Sequence, residues 1–167
     1  PSGLSTHQAA ALMQPGISAW IAVMETAQVC SGMRVLVHGG AGAVGSLMVQ
    51  LCRHLGADVS ATCRAANRDY VVELGAARAF AYDHEDFSTL RDQDVVFDLI
   101  GGDTHARSYP VLRADGHLVY LTAAPIVDRG TAMGGRVTRA AISDQPVVLA
   151  AVADLATRGI FRPAVAR

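Results

Sequence analysis

A glycine-rich stretch between an apolar run and a helical pattern limits the possible folds more than any other feature. Val35–Val37 predicts a buried strand, and a helix is predicted over Ala43–Leu55. Between them, residues 40–45 read GAGAVG, which matches the pattern G-x-G-x-x-G. The pattern is weak by itself, but between a strand and a helix it is typical of a dinucleotide-binding βαβ unit. A turn that serves structure alone is the less favoured alternative.

Each glycine of this motif has its own expected role. Gly40 permits the tight turn, Gly42 lets the backbone approach a pyrophosphate, and Gly45 lets the helix pack against the strand. The free N–H groups at the start of the helix then face the diphosphate, which the helix dipole also favours. Together with Ala43 and Val44, these glycines form the predicted phosphate loop.

Apolar runs alternate with helical patterns along the rest of the chain. Strands are predicted at Val35–Val37, Val59–Thr62, Arg78–Tyr82, Val95–Ile100, Leu118–Leu121 (after a turn at Asp115-Gly116) and Arg139–Ile142. Helices are predicted at Ser5–Met13, Ile17–Thr26, Ala43–Leu55, Ala66–Leu74, Thr104–Leu112 and Pro146–Arg158, with a helical turn at Asp86–Arg91 and a break at Pro15-Gly16. Apolar strands that each precede a helix indicate an α/β fold, a Rossmann-type doubly wound parallel sheet with helices on both faces.

Composition narrows the class of protein further. At 167 residues the chain fits one dinucleotide-binding domain over residues 1–167. Its net charge of −1 gives no reason to expect a nucleic acid or a membrane surface as partner. The longest apolar run, Pro146–Ala153, is too short to span a bilayer. The three cysteines show no C-x-x-C spacing, so free thiols in a reduced, cytoplasmic compartment are expected.

The end of the second predicted strand carries no acidic residue. Sites that prefer NAD place Asp or Glu there to hold the ribose 2′-OH, whereas this chain has Thr62, Cys63 and Arg64. Asp58 is no substitute, because it begins the strand and lies about 15 Å from the ligand end. Arg64 and Arg68 can each grip a 2′-phosphate in a bidentate fork, so NADP(H) is the predicted cofactor. The alternative is that both arginines are solvated surface cations.

Six segments, in order along the chain, carry a family resemblance. They are GLSTHQAAALMQPGISAW, GMRVLVHGGAGAVGSLMVQLCRHLGA, LGAARAFAYDHEDF, VVFDLIGG, LRADGHLVYL and LATRGIFRP. In this order they resemble the cofactor-binding half of the medium-chain dehydrogenase/reductase superfamily, and in particular its quinone oxidoreductase-like branch. The resemblance covers nearly the whole chain.

The resemblance implies an enzyme that transfers a hydride from NADPH to a small quinone, enone or other electrophilic alkene. It also implies that a GroES-like catalytic domain, drawn mainly from preceding residues, is absent from this chain. The zinc site of alcohol dehydrogenase-type relatives would lie largely in that absent part, and no His/Cys cluster here has zinc spacing, so no metal site is predicted. Two alternatives stay open: an enoyl-reductase domain of a fatty-acid or polyketide synthase, and a non-catalytic dinucleotide-binding sensor module.

The resemblance also assigns individual residues. Gly40, Gly42, Ala43, Val44 and Gly45 match the phosphate loop of the family. Tyr82 matches a tyrosine near the adenosine phosphate, Gly101 a glycine where ribose and phosphates pass close to backbone, and Ser18 a position near the nicotinamide amide. Asn67 replaces the usual Lys, which moves phosphate binding to Arg64 or Arg68. The structural alternatives are a core-edge Tyr82, a plain helix-entry turn at Gly101 and an ordinary helix residue at Ser18.

No catalytic side chain is predicted. The chain shows no Ser/His/Asp or Cys/His arrangement that would supply a nucleophile, which fits hydride transfer, where the cofactor carries the reactive atom. His38 is expected to be packed or to lie near the cofactor, and the other histidines to be solvated or structural. In relatives the last strand of the sheet often pairs with its twin, so a homodimer through Arg139–Ile142 is expected.

Overall fold

A six-stranded parallel sheet forms the centre of the protein. The computed structural model describes residues 5–163, and the four residues at each end of the predicted domain lie outside the described residues. The strand order is β3-β2-β1-β4-β5-β6, with all five pairings parallel. The strands are β1 Arg34–Val37, β2 Asp58–Cys63, β3 Arg78–Ala81, β4 Gln93–Asp98, β5 Leu112–Tyr120 and β6 Arg136–Arg139. The direction of winding reverses between β1 and β4, which confirms the predicted Rossmann-type doubly wound fold.

Helices cover both faces of the sheet. They are α1 Thr6–Trp20, α2 Ala43–His54, α3 Arg68–Glu73, α4 Gly102–Ser108, the single turn α5 Gly130–Met133 and α6 Pro146–Thr157, with a π-helix at Ile21–Thr26. Short 3₁₀ turns lie at Ala65–Asn67, Phe87–Thr89 and Tyr109–Val111. Successive residues of β1 alternate between two core clusters: Val35 and Val37 belong to the larger cluster and Leu36 to the smaller. Because both faces of the central strands are buried, these strands appear in the sequence as continuous apolar runs.

The predicted break at Pro15-Gly16 is wrong. Helix α1 runs through Pro15, from an N-cap at Ser5 whose hydroxyl accepts a hydrogen bond from the Gln8 amide, 3.2 Å away. Pro15 costs the helix one hydrogen bond and crowds the carbonyl four residues earlier, but the turn that follows it, residues 16–19, is buried and holds the helix together. Gly16 marks a close approach of two helices, since a Cβ there would lie 2.6 Å from Val152 of α6.

The last strand lies three residues earlier than predicted. The expected strand Arg139–Ile142 shares only Arg139 with β6, which pairs with β5 from His117↔Arg136 to Tyr120↔Arg139. The apolar run that suggested a strand is instead a cleft-lining segment after β6. β6 is an edge strand with Arg136 and Arg139 exposed. It has too few apolar residues to be predicted as a strand from an apolar run in the sequence.

The region before the fifth strand also differs from the prediction. The expected helix Thr104–Leu112 ends at Ser108, and a 3₁₀ turn follows it. The predicted turn at Asp115-Gly116 lies inside the long strand β5, where Asp115 has a φ of 61° and the pairing with β4 shifts register between Gln93 and Val95. These turn residues therefore mark an irregularity within a strand.

Candidate functional site

An open cleft of about 970 Å³ runs along the carboxyl ends of the strands. Residues that follow each of the six strands line it, and Ser18 of α1 lines it as well. In open α/β sheets, ligands bind at this edge, where the winding of the sheet reverses. The lining residues are Ser18, Gly39, Ala41–Gly45, Cys63, Arg64, Asn67, Tyr82, Leu99, Ile100, Leu121 and Arg139–Ile142.

The glycine loop folds back tightly onto the first turn of α2. Gly42 is the N-cap of this helix, with extended backbone angles of φ −74° and ψ 169°. The left-handed conformation of the turn falls on Gly39, with φ of 70°, rather than on Gly40. A Cβ on Gly45 would lie 2.2 Å from the Gly39 carbonyl oxygen. Gly45 therefore permits the close approach that leaves the first amides of α2 facing the cleft without intrahelical acceptors.

The cleft brings together seven of the ten predicted cofactor-binding residues. The other three, Gly40, Arg68 and Gly101, are not among the residues that line it. Gly40 packs on β2, where its amide donates to the Thr62 carbonyl at 2.8 Å and a Cβ would lie 2.8 Å from that of Ala61. Gly101 adopts a φ of 82° and Arg68 pairs with an acid beside the cleft. The residues that line the cleft are Ser18, Gly42, Ala43, Val44, Gly45, Arg64 and Tyr82.

Arg64 and Tyr82 form one polar group at the β2 end of the cleft. The Arg64 Nε donates a hydrogen bond to the Tyr82 hydroxyl at 3.1 Å, and this bond raises the pKa of Arg64, so the guanidinium keeps its charge. No ion pair among the described residues involves Arg64. Its remaining N–H donors and its charge are available to a ligand.

Arg68 is placed differently, because Glu85 neutralises it. The two side chains form an ion pair, and the Glu85 carboxylate also accepts the Ala81 amide at 2.8 Å. These hydrogen bonds, that of Ala81 first, lower the pKa of Glu85. The neighbouring Asp83 accepts the Ala65 amide at 3.1 Å. The loop after β3 thus brings two acids beside the end of β2, which sequence reasoning missed because it considered only the second strand.

His38 holds the glycine loop in place through Thr62. It is fully buried, and burial lowers its pKa to about 4, so the imidazole is neutral. The Ser108 hydroxyl donates to the Thr104 carbonyl at 2.7 Å and must therefore accept from His38 Nε2, 2.9 Å away. Nδ1 then accepts from the Thr62 hydroxyl, whose oxygen accepts the Gly39 amide; both distances are 3.2 Å. The network fixes the tautomer of His38 and the position of Gly39.

A second buried chain of polar groups joins two turns at the carboxyl edge of the sheet. Asp98 accepts the amides of Ile100 and Gly101, each at 2.9 Å, and contacts Nδ1 of His105 at 2.7 Å. The other ring nitrogen of His105 lies 3.1 Å from the Tyr109 hydroxyl, which accepts the Arg129 amide at 2.9 Å. The sequence predicts only a solvated or structural role for His105. The one sequence signal of this hydrogen-bonded network is Asp98, an acid at the end of an apolar strand.

The described residues contain no cluster of metal ligands, no helix able to span a membrane and no disulfide. Within residues 5–163, no group of three or more His, Cys, Asp or Glu side chains is placed to hold a metal ion. No helix in that range has the length and apolar character needed to cross a bilayer. All three cysteines are free: Cys30 is exposed, whereas Cys52 and Cys63 are buried.

Comparison with known proteins places the chain in a family. The family model described as zinc-binding dehydrogenase matches residues 43–133, more than half of the chain. A 2-methylene-furan-3-one reductase from Solanum lycopersicum is 39% identical over 127 residues, which cover 74% of this chain and 32% of that protein. The polyketide synthase GfsB from Streptomyces halstedii is 34% identical over 128 residues, which cover 71% of this chain and 2% of the synthase.

Solved structures agree with the sequence matches. The Escherichia coli quinone oxidoreductase complexed with NADPH superposes with a TM-score of 0.88 at 26% identity, covering 99% of this chain and 58% of that chain. The chain thus spans little more than half of that structure and about a third of the tomato reductase. The glycine loop, the cleft and these matches together place the chain in the zinc-binding dehydrogenase family of the medium-chain dehydrogenase/reductase superfamily, within its cofactor-binding region.

Proposed function

We propose that this chain is the NADPH-binding domain of a zinc-independent oxidoreductase that reduces a quinone or an α,β-unsaturated carbonyl compound. One observation carries the proposal: a cleft at the reversal point of the sheet joins the amides that begin α2 to the Arg64 guanidinium at the end of β2, which forms no ion pair among the described residues. These are the two anion sites that a phosphorylated dinucleotide needs.

The residues of the cleft fit the groups of the cofactor. The amides that begin α2 would receive the pyrophosphate, with Gly42 and Gly45 giving the phosphates access to the backbone. Arg64, oriented by Tyr82, would hold the 2′-phosphate, and Asn67 lines the same end. No carboxylate lines the cleft within the described residues, and the two nearby acids are engaged, Asp83 by the Ala65 amide and Glu85 by Arg68. Ser18 would lie at the nicotinamide amide.

The chain contributes binding and orientation rather than acid–base chemistry. When bound, NADPH supplies a hydride to the β-carbon of an enone and leaves as NADP⁺, while the α-carbon takes up a proton. The described lining contains no histidine and no carboxylate, so we assign the proton to no side chain of these residues. What the described residues do is hold one face of the nicotinamide in place and shield it from water.

Relatives support the acceptor class. The tomato relative is named for reduction of a 2-methylene-furan-3-one, an alkene conjugated to a ketone, and the bacterial structure is that of a quinone oxidoreductase with NADPH. Both reactions add a hydride to an electron-poor conjugated system. The same chemistry in this protein is the simplest proposal that is consistent with the cleft.

The match to a polyketide synthase favours a second candidate, an enoyl-reductase domain of a synthase. Both candidates use the same cofactor cleft and differ in what surrounds it. A synthase continues into carrier or ketoreductase domains, whereas a stand-alone reductase does not, so the sequence that flanks this chain in the intact gene product distinguishes them.

The test of the proposal is an assay of the intact protein that contains this chain. We expect NADPH to be oxidised when a small quinone or enone is added, without added zinc and in the presence of a chelator. If NADPH binds but no small quinone or enone accepts the hydride, two alternatives remain: a synthase enoyl-reductase domain that requires a carrier-bound substrate, and a non-catalytic dinucleotide-binding sensor module. If NADPH does not bind at all, the cleft has been misassigned.

A further inference from the structure

A second guanidinium lies at the end of the cleft opposite Arg64. Arg139 is the last residue of β6, where it pairs in register with Tyr120 of β5. The Ala140 amide donates to the Tyr120 carbonyl at 3.1 Å, which fixes the backbone beside Arg139. Around the exposed Arg139, the cleft is lined by apolar residues, namely Leu121, Ala140, Ala141 and Ile142.

Arg139 has no ionic partner in the part of the chain that the structure describes. Several other arginines do: Arg68 pairs with Glu85, Arg107 with Asp86, and Arg113 with Asp94. The cleft lining in the described residues has two charged side chains, Arg64 and Arg139, and no acid. Because Arg139 is exposed and forms no ion pair there, its N–H donors are available to an anion in the cleft.

The position of Arg139 separates it from the phosphates of the cofactor. Four strand spacings, or about 19 Å, lie between β2 and β6. The 2′-phosphate belongs to the β2 end and the pyrophosphate to the start of α2, which follows β1. Arg139 lies two strands beyond β4, on the side of the nicotinamide half. An anion at Arg139 would therefore belong to the hydride acceptor.

We propose that Arg139 binds a carboxylate of the acceptor, so that the preferred substrates are unsaturated ketones or quinones that carry an acid group. This inference rests on the proposed function. One guanidinium matches one carboxylate in a two-bonded fork and neutralises its single charge. The apolar residues beside it suit the short hydrocarbon part of such an acceptor, and the described lining supplies no second cation there for a doubly charged phosphate.

Two matched acceptors test this assignment with the intact protein: 4-oxopent-2-enoate, an enone acid, and its uncharged methyl ester. Arg139→Gln is expected to raise KM for the acid by about 10- to 100-fold with kcat nearly unchanged, because it removes a charge-assisted contact to bound substrate. KM for the ester should move by less than about twofold. Arg139→Lys should recover part of the loss. Arg136→Gln is the matched control, since Arg136 lies at the other end of β6 and outside the cleft.

Binding measurements provide a readout apart from turnover. Calorimetry on the protein loaded with NADP⁺ should show that Arg139→Gln weakens binding of the acid and leaves that of the ester unchanged, with NADPH affinity unaltered. If the wild-type protein reduces the ester and Arg139→Gln leaves the acid-to-ester ratio of kcat/KM unchanged, the role of Arg139 is overturned and the proposed function stands. That role is overturned as well if the variant changes only the molecular mass in solution, which would make Arg139 a subunit contact. Loss of NADPH binding or of all reduction in the wild-type protein would overturn the proposed function itself.

Discussion

Two arginines follow the second strand, and their surroundings give them different capacities to hold a phosphate. Arg64 forms no ion pair among the described residues, and Tyr82 orients it at the cleft. Arg68 is paired with Glu85 and lies outside the lining. The sequence predicts both as candidates because it shows only that they are close to the end of β2. Glu85 makes the difference, because it pairs with Arg68 and not with Arg64. It is distant in sequence, and its position can be known only once β3 is placed beside β2.

Because Arg64 has no ion-pair partner among the described residues and Arg68 has one, we expect Arg64→Ala to weaken NADPH binding more than Arg68→Ala does. Arg64→Ala should weaken NADPH binding by about 10- to 100-fold, because one charge-assisted phosphate contact is lost, and should leave NADH binding nearly unchanged. Arg68→Ala should have a smaller effect. Fluorescence titration of the nicotinamide with each variant measures both constants. Equal affinity of the wild-type chain for NADPH and NADH would contradict the assignment of Arg64.

Placing an acid at the end of β2 should change the preference between cofactors. Cys63→Asp puts a carboxylate where it would accept from the ribose 2′-OH and repel a 2′-phosphate. We therefore expect the ratio of NADPH to NADH affinity to fall, measured in the same titration. Cys63→Asn is the uncharged control, and an equal fall in that variant would attribute the effect to shape and not to charge.

Buried neutral histidines make the stability of the protein depend on pH. Burial lowers the pKa of both His38 and His117 to about 4, while the unfolded chain titrates near 6.5. Between these values the unfolded state binds more protons, so the free energy of unfolding falls as pH drops from 6.5 toward 4. Each histidine contributes a slope of at most about 1.4 kcal/mol per pH unit. Urea unfolding of His38→Gln at several pH values should show a shallower dependence than the wild type, and an unchanged slope would contradict a neutral His38.

At the scale of elements, the predictions succeed where burial acts on both sides of a strand. The runs in β1 and β4 are apolar because each face meets a core cluster, so their positions can be predicted from the sequence. They fail where the local pattern and the packing differ: α1 continues through Pro15, and β5 contains Asp115 in a left-handed conformation. The motif predicts the tight glycine turn between β1 and α2, but not the division of roles among its glycines, which depends on backbone distances between Gly39 and Gly45.

Two substitutions in the loop should separate binding from folding. A Cβ on Gly42 would lie 3.2 Å from the Gly39 carbonyl, so Gly42→Val should fold and yet lose NADPH, because its side chain occupies space that the pyrophosphate needs. A Cβ on Gly45 would lie 2.2 Å from the same oxygen, so Gly45→Val should also lower the melting temperature. Thermal unfolding and NADPH titration are measured together. Normal NADPH binding by Gly42→Val would mean that the phosphate loop is misassigned.

At the scale of the whole molecule, the described residues form only one side of the cleft. The cleft is open to solvent on its other side, and the chain spans only part of the length of its relatives. Productive hydride transfer requires an acceptor held at reacting distance in a site that excludes water. The chain expressed alone should therefore bind NADPH but oxidise it with quinones at a negligible rate, which a comparison with the intact protein would check. If the isolated chain turned over quinones as fast as the intact protein, this side of the cleft alone would be sufficient for hydride transfer.

The free edge of the sheet leads to the remaining prediction, a homodimer through β6. The strand pairs only with β5 among the described elements, so its outer hydrogen-bonding groups are available to a twofold-related copy. β6 has four residues and two of them, Arg136 and Arg139, are charged; both features disfavour non-specific pairing, so the expected partner is the twofold-related copy. We expect light scattering on the chain to give the mass of a dimer. Thr138→Pro, inside β6, should shift the mass toward that of the monomer, whereas Ala141→Pro, beyond the end of the strand, should not. Circular dichroism confirms that both variants fold, and a wild-type chain that stays monomeric at high concentration would exclude the dimer.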